Sequence, residues 1–134
     1  MESRRIARPV VAGVLLLLGA GGASAQRGDP VTPLGRVEPG QWQLKSVDGE
    51  RKLCLTDPAA LLQVMHGAAQ CEHFVMEQTQ RSITIRYTCA GHGHGRTTVG
   101  VETGKLVHVD TQGVLDGAPF SEDYEGRRLG TCGG

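Results

Sequence analysis

Apolar and polar side chains alternate most regularly in Arg81-Ser-Ile-Thr-Ile-Arg-Tyr-Thr-Cys89. Ile83, Ile85, Tyr87 and Cys89 fall at one parity, and Ser82, Thr84, Arg86 and Thr88 at the other. Successive side chains on a strand point to opposite faces, so this stretch reads as a half-buried β-strand. Ala90-Gly-His-Gly-His-Gly95 then reads as a turn into Thr97-Thr-Val-Gly-Val101 and Lys105-Leu-Val-His-Val109, which makes an antiparallel meander. A three-residue loop at Glu102-Thr103-Gly104, with Gly104 left-handed, sets Val99 opposite Val107 and Thr97 opposite Val109.

Around this meander the pattern predicts further elements. Trp42 and Leu44 share one side of a first strand after Pro39-Gly40, and Asp48-Gly49 signals a turn into a second strand through Arg51-Lys-Leu-Cys-Leu55. Asp57 and Pro58 form an N-cap and first-turn pair. Leu61, Leu62, Val64 and Met65 follow at helical spacing, with Gly67 placed as a C-terminal stop, so a single helix is expected over 58–66. Extended structure resumes from Cys71 to Met76, and a last strand is expected within 119–128. The expected fold class is α+β: an antiparallel meander sheet of five to seven strands carrying one helix.

The first 25 residues carry a different pattern. Arg4, Arg5 and Arg8 precede an apolar, leucine-rich run from Val10 to Gly19, and Ala23-Ser24-Ala25 precedes Gln26. This is the form of a secretory signal peptide cleaved between Ala25 and Gln26. The apolar run is shorter than the roughly 20 residues of a membrane-spanning helix, so no span is expected after processing. The expected organisation is a signal peptide over 1–25, a flexible leader over 26–38 rich in Pro and Gly, and one domain over 39–134. The expected location is the periplasm or the exterior.

Charge narrows the partners. The whole chain has 14 basic and 14 acidic residues, and residues 1–25 hold three of the former and one of the latter. The mature chain therefore carries a net charge of −2 with histidines neutral. That balance points away from nucleic acid and from an anionic membrane surface.

Four cysteines (Cys54, Cys71, Cys89 and Cys132) all lie beyond the cleavage site. An even count in an exported chain this small reads as two disulfides. The spacing argues against zinc, because no two cysteines lie closer than 17 positions. Three pairings are open. The expectation is Cys54–Cys71, bracketing the helix, with Cys89–Cys132 tying the C-terminus to the central strand.

Taken together, Pro39-Gly40-Gln-Trp42, Cys54 before Thr56-Asp57-Pro58, Cys71 and Cys89 on strands, and Gly126-Arg-Arg-Leu-Gly-Thr-Cys132 resemble the DUF3617 family. These are small exported bacterial proteins of unknown function. The resemblance implies a periplasmic domain of mostly β structure, and it carries over no catalytic residue.

Chemistry is sparse elsewhere. His92 and His94, one residue apart, are the candidate metal ligands, since imidazole suits zinc, copper and nickel. His108, His66 and His73 are the possible third ligands. The glycines of the same motif have the wrong spacing for a phosphate cradle, and there is no G-x-S-x-G elbow. Asp116, Glu122, Asp123 and Glu125 read as a solvated acidic run. No nucleophile, base and orienter stand in a recognisable arrangement, so the chain is expected not to be an enzyme. The leading expectation is an exported binding or envelope module without a cofactor, taking a protein, lipid or small ligand. The alternative is a metal-handling protein using His92 and His94, with an unrecognised enzyme third.

Overall fold

The computed structural model describes residues 33–133. The expected signal peptide, its expected cleavage site at Ala25 and Gln26, and most of the expected leader lie outside the described residues. Seven strands form a single antiparallel sheet: β1 (Gly40–Ser46), β2 (Gly49–Leu55), β3 (Cys71–Gln78), β4 (Ser82–Cys89), β5 (Gly93–Thr103), β6 (Leu106–Leu115) and β7 (Ala118–Gly130). Their order is β2-β1-β7-β6-β5-β4-β3. Strands β3 to β7 form a continuous meander, and the β1–β2 hairpin docks through β1 against β7, the last strand of the chain.

One face carries the core. Trp42, Leu44, Leu55, Ile85, Tyr87, Val99, Val107 and Val109 are all buried on it. These are the alternate positions that the polar–apolar pattern marks, and Trp42 is completely enclosed, its Nε1–H donating to the Glu38 carbonyl at 2.9 Å. The opposite face is left to Gln43, Arg86, Thr88, His94, Arg96, Asp110 and their neighbours.

Because β2 and β3 are opposite edges of the sheet, the segment joining them crosses the whole core face. This is the segment expected to be an α-helix over 58–66. It is instead a short 3-10 helix (Pro58–Gln63) followed by turns, so the fold is nearly all β rather than α+β. Both end signals are real: Asp57 Oδ1 accepts the Ala59 amide at 2.9 Å, and Gly67 is left-handed at φ +56. The adjacent Leu61 and Leu62 are both buried, as are Gln63 and Val64, so this segment is enclosed on more than one side. Gln63 holds it in place, its amide donating to the Gly67 and Ala69 carbonyls at 2.8 and 2.9 Å.

Part of the expected leader is structured. Pro33–Arg36 forms a 3-10 turn inside the expected leader. Leu34 and Val37, three positions apart, are buried in the core beside the sheet.

The disulfides join Cys54 to Cys132 and Cys71 to Cys89, which corrects the expected pairing of Cys54 with Cys71 and of Cys89 with Cys132. The cause is the position of β7. It lies between β1 and β6, so Gln41 has Cys54 on one side and Gly130 on the other, and Cys132 follows two residues later. Cys71 and Cys89 are direct cross-strand partners of the β3–β4 hairpin. The β5–β6 register differs too: Val99 faces Val109 and Thr97 faces Thr111. The turn is at Gly104-Lys105, with a register shift between Val101 and Thr103. A shift of two preserves which side chains face inward, so the core is unaffected. Gly104 is not left-handed. A Cβ there would meet the Arg36 carbonyl oxygen at 2.7 Å.

Candidate functional site

The histidine–glycine motif sits where β4 turns into β5; Gly91 supplies the left-handed turn position at φ +78, and Gly93 and Gly95 are packing residues. Gly93 and Gly95 fall on the core face. A Cβ on Gly95 would lie 2.5 Å from the ring of Tyr87, and one on Gly93 would run into the Val114 carbonyl. Gly113, beside them on β6, is equally constrained, by the His94 carbonyl. Three side chains are thus missing from one end of the core face, and Tyr87 with His66 from the crossing segment fills that space.

His66 is buried and fully bonded. Its Nε2 faces two carbonyl oxygens, of His92 at 3.1 Å and of Val114 at 3.2 Å, so Nε2 carries the proton and donates to both. Its Nδ1 then accepts from the Tyr87 hydroxyl at 2.8 Å. Burial pushes the Tyr87 hydroxyl above its ordinary pKa, offset in part by hydrogen bonding to Thr111. Thr111 in turn bonds Thr97 at 2.8 Å. No buried side-chain nitrogen or oxygen among the described residues lacks a partner. This network is a structural polar core, and it is what sequence reading missed: only glycines at alternate strand positions hinted at it.

The other histidines scatter. His92 lies in the turn and donates from Nδ1 to Asp116 Oδ1 at 3.2 Å, while His94 belongs to β5 between Thr88 and Val114. His108 donates to Glu102 Oε1 at 3.0 Å, and His73 to Gln63 Oε1 at 2.8 Å. Among the described residues, no group of three or more His, Cys, Asp and Glu side chains is arranged to hold a metal ion. The acidic run is divided as well. Asp116 serves His92, and Glu125 accepts from Arg127 Nε at 2.7 Å, a bond that lowers its carboxyl pKa.

A depression of about 540 Å³ lies at the β3–β5 end of the sheet, lined by Glu72, Phe74, Arg86, Thr88 and His94 together with His73, Tyr87 and Gly95. The register explains the first five. Glu72, Thr88 and His94 form one row across three strands, and Phe74, Arg86 and Arg96 form the next. All six are exposed on the face away from the core. Arg86 and Arg96 are directly opposed, and neither makes an ion pair among the described residues. The depression therefore offers an exposed aromatic ring, a guanidinium, a carboxylate and imidazoles, with Arg96 on the next strand beside it.

These features define a small antiparallel β domain with two disulfides and a polar face open beside one edge strand. The family model for DUF3617, a protein family of unknown function, matches residues 37–132, and the chain belongs to that family. No curated protein and no solved structure matches it. No helix among the described residues is long and apolar enough to cross a membrane.

Proposed function

We propose that the chain is exported to the periplasm or beyond and acts there as a non-enzymatic binding module. Its partner docks at the β3–β5 end of the open face. The observation that carries this reading is the depression of about 540 Å³ lined by Phe74, a residue 69% exposed. Exposed aromatic rings next to arginines are the composition of binding surfaces. Two disulfides suit an oxidising compartment, and the signal-peptide pattern supplies the route. Export is tested by N-terminal sequencing of the mature protein, which should begin at Gln26. Binding is tested in the periplasm with a photoreactive side chain at Thr88, compared with one at Lys52 on the distant edge strand. Thr88 should yield a discrete adduct and Lys52 none. Equal labelling at both positions, or none at Thr88, would remove the proposed site.

A further inference from the structure

Strand β3 is an edge strand paired with β4 alone, so among the described residues its backbone has a hydrogen-bonded ladder on one side only. At its centre Phe74, Val75 and Met76 are 69, 50 and 43% exposed. They are three of the five large apolar side chains exposed among the described residues, and they are consecutive. The other edge is built differently. Strand β2 places Glu50, Arg51 and Lys52 in the open, and its end is tied to the C-terminal segment through Cys54. Charge on an edge strand discourages other chains from pairing with it. The middle of β3 lacks that protection, and its charges stand at the sides instead: Glu72 before the apolar triplet and Glu77 after it, both exposed. Neither glutamate forms an ion pair with another described residue.

From this edge we infer that β3 accepts an extended segment of another envelope protein as an added antiparallel strand, apolar at its centre and flanked by lysine or arginine. The inference rests on the binding reading above and names the partner's chemistry. Backbone bonding along the free edge supplies affinity, and alternate side chains supply selectivity. The register shift at Met76 leaves Cys71 to Val75 in unbroken register, and β4 passes it by facing Val75 and Glu77 with the adjacent residues Ile85 and Thr84. A strand added on the free side with the same offset has alternate residues opposite Glu77, Phe74 and Glu72, all on the open face. The residues between them lie opposite Val75 and His73. The complementary sequence, in chain order, is therefore basic, apolar, apolar, polar, basic. Oppositely charged cross-strand pairs favour this arrangement, and like charges oppose it.

The test uses the mature protein, labelled with ¹⁵N, and the capped peptide Thr-Lys-Val-Val-Thr-Lys-Thr. Saturable shifts should centre on the amides of β3. Replacing both peptide lysines by glutamate should weaken binding about tenfold, and the E72K/E77K protein should reverse that preference. A peptide N-methylated at its two valines should not bind. Equal binding of the lysine and glutamate peptides, or shifts centred away from β3, would overturn the inference. So would a wild-type dimer in light scattering that Phe74→Lys disperses, because the edge would then belong to a second copy. If Thr88 crosslinks a partner while the peptides fail, the strand-addition inference alone falls. If neither binds, the site itself falls with it.

Discussion

The ring of Tyr87 occupies the space in which a Cβ on Gly95 would lie, its Cζ and hydroxyl oxygen both 2.5 Å from that position. Tyr87 and Gly95 are direct cross-strand partners, so one residue's missing side chain is the other's cavity. Gly95→Ala should therefore cost about 1–3 kcal/mol, the usual range for overfilling a packed core. Gly100 lies on the same strand with open space where its Cβ would be. Gly100→Ala is the control, expected to be neutral or stabilising by up to about 1 kcal/mol. Urea denaturation of the two variants checks the contrast, and equal effects would mean that the ring yields easily.

The two disulfides should contribute unequally. Cys71–Cys89 closes a separation of 18 residues and Cys54–Cys132 one of 78. By the chain-entropy model the shorter loop stabilises by about 3 kcal/mol and the longer by about 4.5 kcal/mol. The C54S/C132S variant should therefore lose more thermal stability than C71S/C89S. Non-reducing peptide mapping should recover these two linkages and no other, and the reverse order of melting temperatures would contradict the entropic account.

The inward-facing residues were legible because a period of two survives errors of register. Val99 shares its face with Ile83, Ile85 and Tyr87 whether its partner is the expected Val107 or the observed Val109. The disulfides were not legible, because their pairing depends on β7 entering between β1 and β6, which no local pattern announces. Asp57 and Gly67 were read correctly as stops, yet only the tertiary enclosure of Leu61, Leu62 and Gln63 shows why a short 3-10 turn lies between them. At the candidate site the sequence offers His92 and His94 as ligands, while the structural content of that motif lies in Gly93 and Gly95. The Asp116-Gly117 turn, with φ of 49° and 85°, was visible as a hairpin dipeptide. In the sequence Asp116 stands out only as one carboxylate of an acidic run.

Replacing both His92 and His94 by asparagine should leave stability within about 0.5 kcal/mol of wild type. Both are surface residues, and the exposed pair between His92 and Asp116 is of the kind that contributes little. Copper leads the divalent affinity order and is the fair challenge to two neighbouring imidazoles. Calorimetry with copper should show no tight one-to-one complex. Sub-micromolar binding abolished by the double substitution would restore the metal-handling reading.

Tyr87 should leave a signature at alkaline pH. Burial raises its hydroxyl pKa in the folded protein, whereas in the unfolded chain it titrates near 10. Below about pH 10 the hydroxyl is protonated in both states, and its stabilising contribution is complete. Above that, the unfolded chain ionises first, so stability is lost progressively as pH rises through the folded value. Tyr87→Phe removes the ionisable group. It also leaves His66 Nδ1 without the donor that bonds it at 2.8 Å, at a cost of about 1–2 kcal/mol near neutrality. The variant should start less stable and decline less steeply, so the two stabilities converge as pH rises. Urea midpoints between about pH 8 and about pH 11 measure this directly. Parallel curves would show that Tyr87 does not resist ionisation in the folded state.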